Sequence, residues 1–338
     1  MSRILAALVA LGIAVAAYAA PQGGSAFAGR PEVRAFIQKM VKRYAFNKRD
    51  LQRLFAQAQR EQAVLDAIRP SSSEADQSWA IYRRIFVNPK RISAGLDFWS
   101  QHSDALARAQ RIYGVPQEYI VAIIGVETYY GRHTGRWRVV DALATLAFDY
   151  PPRAAFFRRE LTNYLLYTRD AGIDALSVKG SYAGAIGIPQ FMPGSYRKYA
   201  VDFDGDGTAD LNGSAEDAIG SVANFLKQHG WETGEAVQYK ARVDGKDFGP
   251  FLRGGLRSRH PLAVLAKAGI VPESADDPPA AGTRAALVEL ETPDAPSDFR
   301  LALHNFYVIT RYNNSSFYAS AVSDLAAALR AARDRHAS

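Results

Sequence analysis

Ile120-Val121-Ala122-Ile123-Ile124-Gly125-Val126-Glu127 is the stretch on which the reading of this chain turns. It follows Pro116, and a proline at a first-turn position before such a run predicts a helix from Pro116 into the Glu127 region. Thr128-Tyr129-Tyr130-Gly131 comes next. A glutamate closing an apolar helix sits partly buried among apolar and aromatic groups, and desolvation disfavours its charged form. A carboxyl that stays protonated near neutral pH is what protonating a glycosidic oxygen requires. From this segment alone, a helix-end glutamate satisfied by Arg132 or Arg136 is the competing interpretation.

Outward from this helix the pattern stays helical. Val33, Phe36, Ile37, Met40 and Val41 repeat at helical spacing behind Pro31. Pro89 opens a helix that carries Ile92, Leu96, Trp99 and Leu106 and closes at Gly114. Further helices are predicted over 153–171, stopped by Gly172, over 217–229, and over 316–333 at the end. The stretch 272–282, rich in Pro, Ala, Ser and Asp, reads as a linker or surface loop. Two short apolar alternations, 285–290 and 299–303, separated by Pro293 and Pro296, predict a small hairpin. The expected fold class is mainly α (α+β), with a minor β element near the C-terminus.

The beginning and the composition set the compartment. Met1-Ser2-Arg3, an apolar run to Ala17 and Ala17-Tyr18-Ala19 read as a secretory signal over 1–19. The run is shorter than the roughly 20 apolar residues of a stable span, and no later segment approaches one. The absence of cysteine excludes disulfides, thiol catalysis, cysteine-bound zinc and a lipid-attachable cysteine after the signal. The expectation is a protein free in the periplasm. The formal charge of +7 falls to +6 if the signal, which holds Arg3 alone among charged residues, is removed. A modest, scattered basic excess suits an anionic polymer such as the cell wall. With no nucleic-acid motif beside it, no DNA or RNA partner is expected. The six histidines are scattered without metal spacing.

From Ser177 to Gly207, glycines and prolines punctuate small and aromatic residues, which predicts a shaped loop region. Loops held by a rigid frame are where sites concentrate. Within it, Ser181-Tyr182-Ala183-Gly184-Ala185-Ile186-Gly187-Ile188-Pro189-Gln190-Phe191-Met192-Pro193 joins Val121–Gly131, Asp202–Gly207, Asp217–Ser221 and Asn305–Asn313 in one order along the chain. Together these segments resemble the lytic transglycosylase B family, glycoside hydrolase family 103, from about Tyr82 to Leu325. The resemblance implies a lysozyme-like helical catalytic core (116–235) with an N-terminal α lobe (20–115), a C-terminal region (236–338), and peptidoglycan glycan strands as substrate. Enzymes of cell-wall synthesis are candidate protein partners.

In that family the glutamate matching Glu127 is the single acid/base. It protonates the oxygen between N-acetylmuramic acid and N-acetylglucosamine, and the muramic C6 hydroxyl attacks C1 to give a 1,6-anhydro end. An internal nucleophile removes the need for the second carboxylate, roughly 5–9.5 Å away, that hydrolysis uses. Asp141, Asp149 and Glu160 are second carboxylates in principle, with ordinary hydrolysis as the runner-up chemistry. A non-catalytic wall-binding adaptor is the reading from another class. By resemblance Ser181 steadies the N-acetyl group, Gln190 lines the same groove, and Arg153, Tyr312 and Tyr318 match groove positions. The family often carries paired arginines where this chain reads Pro152-Arg153. Tyr82 and Phe225 are weaker groove candidates, since aromatics at helical spacing usually pack in cores.

Asp202, Asp204, Asp206, Gly207, Thr208 and Asp210 follow an EF-hand calcium loop through its ninth position. The twelfth position is Gly213, where a bidentate glutamate normally stands. Family alignment favours Asp217 as the later ligand, with Thr208 contributing its backbone carbonyl. The oxygen-only set 202–217 suits a structural Ca2+, with Na+ as the alternative and no catalytic cofactor.

Overall fold

The computed structural model describes residues 26–69, 78–244, 247–257, 260–273 and 279–337. The signal segment 1–19 lies outside them, as does the middle of the expected 272–282 linker.

Most helices begin and end where local chemistry dictates. Pro31 and Pro89 occupy the first turns of Pro31–Tyr44 and Pro89–Gln101. The Asn47 and Asn88 side chains accept from backbone amides at their helix starts, satisfying donors that a helix leaves free. The expected helix from Pro89 to Gly114 is in fact two, Pro89–Gln101 and Ser103–Tyr113. His102 leaves helical conformation (φ −118°, ψ 28°), its ring packs on Phe98, and Asp104 restarts the helix at a favourable N-terminal position. Gly114, at φ +73°, ends the second piece in the left-handed conformation that glycine adopts cheaply.

Gln117–Thr128 is the centre of the main body. Ile120 through Val126 are all buried, each large side chain contributing about 1.5–3 kcal/mol relative to exposure. The helix packs against Pro89–Gln101, Ala215–Gln228 and the closing helix Ser316–Ala337. A helix that is apolar all round must be enclosed by others. Val139–Asp149 and Ala154–Asp170 pair with each other in the same core. No helix among the described residues is long and apolar enough to cross a membrane.

The β element is larger than the expected hairpin. Strands β1 (Trp137–Arg138) and β2 (Lys179–Gly180) form a small antiparallel pair. The strands β3 (Gln238–Val243), β4 (His260–Pro261), β5 (Ile270–Pro272), β6 (Arg284–Leu290) and β7 (Asp298–Ala302) form one antiparallel sheet in the order β4-β6-β7-β3-β5. The β6–β7 hairpin is present. Around it, β4 and β5 are too short, and β3 too polar, to carry a strand pattern. Ala286, Val288 and Leu290 join the main core, while Ala285 and Leu287 join a second cluster with Leu262, Leu265, Ile270, Leu301 and Leu303. Both faces of β6 are therefore covered, which is why it reads as a nearly continuous apolar run. The turn after β6 reaches the helix Trp79–Phe86: Glu291 O accepts from Trp79 N and Thr292 Oγ1 from Ala80 N.

Candidate active site

The buried helix delivers Glu127 to its last turn and then stops sharply. Tyr129, Tyr130 and Gly131 have φ of +52°, +62° and +83°, and such backbone in two tyrosines is costly unless packing imposes it. Tyr130 shows what imposes it. Its ring lies against Gly95 and Gly125, where a Cβ would collide with it, and its hydroxyl donates to Arg91 O at 2.9 Å. Arg91 in turn donates from Nη1 to the carbonyl of Gly125. Thr128 Oγ1 donates to Ile188 O at 2.8 Å and accepts from Gly131 N at 2.9 Å, fixing the turn against the loop that carries Gln190.

Glu127 is half-buried. Its Oε1 accepts a 2.6 Å hydrogen bond from the hydroxyl of Tyr318, a buried residue 191 positions later in the chain. Burial pushes the carboxyl up to about 7, with the Tyr318 hydrogen bond opposing it; removing a carboxylate from water costs more than one donor returns. The alternative of an arginine-paired glutamate fails: among the described residues no ion pair involves Glu127. Arg132 lies over the Tyr129 ring and Arg136 over the Trp137 ring. The Tyr318 ring stacks on Tyr312 (6.4 Å, 14°), and Tyr312 donates to Pro189 O at 2.5 Å. Both phenols are held well above their usual range by burial, with the Glu127 charge adding to it.

The three other carboxylates considered as partners are engaged elsewhere. Asp141 accepts from Gln59 N and Arg138 Nε. Asp149 bridges Arg30 and Arg60. Glu160 accepts from Gly194 N. Each holds one segment against another.

Ser181 and Gln190 stand at the two ends of one folded loop. Ser181 N donates to Ala185 O, and Ser181 Oγ accepts from Ala185 N at 3.0 Å. Ile186 bridges both Gly180 and Phe191 in antiparallel fashion. Gln190 takes a left-handed φ of +53°, and its Nε2 donates to Thr134 O (3.0 Å) and Gly187 O (2.9 Å). Gly135, at φ +106°, lies so close to Gly180 that a Cβ would strike its carbonyl. The structure thus joins Glu127, Tyr318, Tyr312 and the Pro189-Gln190 corner in one chain of contacts, with Ser181 on the same loop. Arg153 stands apart, exposed, with its guanidinium over Phe156 and Phe157. Tyr82 and Phe225 are core residues, 4% exposed each, Phe225 packing edge-on against Tyr312. The hydrogen bond from Tyr318 to Glu127 had no sequence signal.

In the acidic loop, Asp202, Asp204 and Asp217 each place a carboxylate oxygen within 4.8 Å of the others. Asp206 is outside that cluster, its Oδ1 accepting from Thr208 N. Asp217 is buried at the start of Ala215–Gln228 and accepts from Phe203 N, Asp204 N and Asp210 N. Its two oxygens tie both limbs of the loop together. Three converging carboxylates fit a hard divalent ion.

A helical frame, a half-buried carboxyl raised toward neutrality and the tyrosines that hold it make a site able to donate a proton. Residues 28–327 match the Transglycosylase SLT domain, and the chain belongs to that family. It is 44% identical over 320 residues to membrane-bound lytic murein transglycosylase B of Escherichia coli (strain K12), covering 92% of this chain and 86% of the relative. Soluble lytic transglycosylase SltB1 from Pseudomonas aeruginosa superposes with a TM-score of 0.83 at 46% identity, over 90% of this chain and 100% of that one. The Escherichia coli lytic transglycosylase Slt35, solved in complex with calcium, superposes at 0.81 and 43% identity, over 92% and 96%. The chain is an enzyme of the lytic transglycosylase class.

Proposed function

We propose that the protein cleaves the β-1,4 bond between N-acetylmuramic acid and N-acetylglucosamine in peptidoglycan, leaving a 1,6-anhydromuramic end. The observation that carries this is one half-buried carboxyl, raised to about 7 by burial and free of any ion pair among the described residues. Such a group is a proton donor at neutral pH and a usable base once ionised. Glu127 gives its proton to the bridging oxygen as the C1–O bond breaks. The muramic C6 hydroxyl then closes on C1, and the same carboxylate takes the hydroxyl proton, so the enzyme returns to its starting state without water. Tyr318, donating to Oε1, leaves Oε2 to carry the moving proton.

Ser181 orients the N-acetyl group of the reacting sugar, and Gln190 and Tyr312 line the same site. Arg153 contacts the substrate farther from the bond. Residues 116–235 form the catalytic core, braced by 20–115 and 236–338. Asp202, Asp204 and Asp217, with Asp206 and the Thr208 carbonyl, hold a structural Ca2+, or Na+ in its place. The ion neutralises the loop's carboxylates and supplies no chemistry at the glycosidic bond. Residues 1–19 direct export, and the mature enzyme works in the periplasm.

Digestion of purified sacculi by wild type and Glu127→Gln, read by mass spectrometry, tests this. Anhydro ends that vanish in the variant are expected. Reducing ends would instead mean hydrolysis, and sacculus binding without release of fragments would mean an adaptor.

A further inference from the structure

Directly beyond the acid, positive charge accumulates without a counter-charge. Two guanidinium groups lie over the Tyr129 ring, Arg91 at 4.8 Å and Arg132 at 5.2 Å from its centroid. Four residues on, Arg136 sits over the Trp137 ring at 5.1 Å. Among the described residues none of the three is in an ion pair. Arg91 is tied to the frame through Gly125 O, and its Nε has no partner. Arg132 and Arg136 are exposed.

The segment bearing them runs between the two halves of the site. His133 N donates to Thr128 O, one residue from Glu127. Thr134 O accepts from Gln190 Nε2, and Trp137 pairs with Gly180, the neighbour of Ser181. Exposed Lys179 comes from the strand opposite. The charge is beside the acid but not on it, since burial and the Tyr318 hydrogen bond are the two influences on the Glu127 carboxyl. An anion bound here leaves the proton donor protonated.

We infer that Arg132 and Arg136 form a cationic rim that binds the carboxylates of the peptide stems carried on muramic acid, and that they favour peptide-bearing strands over bare glycan. This rests on the proposed reaction for its substrate. A guanidinium held over an aromatic ring gains a cation–π contact and still offers N–H groups to a carboxylate. Arg91, half-buried and bonded to Gly125 O, adds field from the frame.

The test compares Arg132→Gln, Arg136→Gln and the double variant with wild type on sacculus-derived strands carrying stems and on the same strands stripped of peptide by an amidase. The double variant should raise KM about tenfold on peptide-bearing strands, with kcat held and less than a twofold change on stripped strands. The wild-type preference should also shrink with added salt. Equal losses on both substrates, or none on either, overturn the inference. Binding of the disaccharide with and without pentapeptide to Glu127→Gln separates the inference from the reaction itself. Stem-dependent affinity lost on adding the two Arg→Gln changes supports the rim even if no strand is cut. Affinity indifferent to the stem overturns it even if strands are cut.

Discussion

Replacing Glu127 by Gln should make this protein more stable at alkaline pH than at acid pH, relative to wild type. The wild-type carboxyl titrates at about 7 in the folded chain against an ordinary value of 4.5. Between those values the folded state holds a proton that the unfolded state has released. Stability then falls as pH rises, with a slope set by the difference in bound protons. A gap of about 2.5 units at 1.36 kcal/mol per unit amounts to about 3 kcal/mol. The loss is absent below pH 4.5, develops up to pH 7 and is complete above it. Glutamine is neutral throughout and can still accept from Tyr318, so its stability lacks this slope. Denaturant unfolding of both proteins at pH 4 and pH 8 gives the difference directly, and any constant offset from the amide cancels. A stability difference between the two proteins that moves by less than about 0.5 kcal/mol over that range would refute a burial-raised acid.

Other consequences are as open to measurement. The kcat/KM of wild type should decline above pH 7, as the free enzyme loses the proton that Glu127 donates. Tyr318→Phe removes a donor to the ionised form, worth about 1.5–3 kcal/mol, so that limb should move up by one unit or more; an unmoved limb would mean the hydrogen bond is not made in solution. Ca2+ should raise the melting temperature of wild type over an EDTA control, by the equivalent of about 2.7 kcal/mol at a hundred times its dissociation constant. Asp204→Asn should erase that rise, and identical melting of wild type with and without Ca2+ would remove the ion from the account. Gly135→Ala should cost about 1–3 kcal/mol and disturb the Ser181 loop, because its Cβ meets Gly180 backbone at a φ of +106°; an unchanged denaturation midpoint would show that the two loops have room to separate.

Much of the helical frame is legible in the chain, since prolines at first turns and runs such as 120–126 act locally. The break at His102 is not, because Leu96, Trp99 and Leu106 keep their spacing across it while the backbone turns. The sheet is hidden for a different reason. β4 and β5 hold two and three residues, below the length at which alternation can register, and β3 acquires its partners from residues some 30 to 60 positions away.

The site divides in the same manner. Glu127 as an acid, the Ser181–Gln190 loop and the acidic loop are written in contiguous residues, because an apolar run, a glycine pattern and alternate carboxylates each carry their own chemistry. Which groups meet is a matter of packing. Tyr318 reaches Glu127 only because the closing helix lies along Gln117–Thr128, and Asp217 reaches the 202–204 turn only across the bent loop. Sequence alone fixed what this carboxyl could do if water were kept from it. The tertiary structure decided how far it is withdrawn from water and which phenol holds one of its oxygens, since desolvation and long-range hydrogen bonds depend on neighbours that no local pattern specifies.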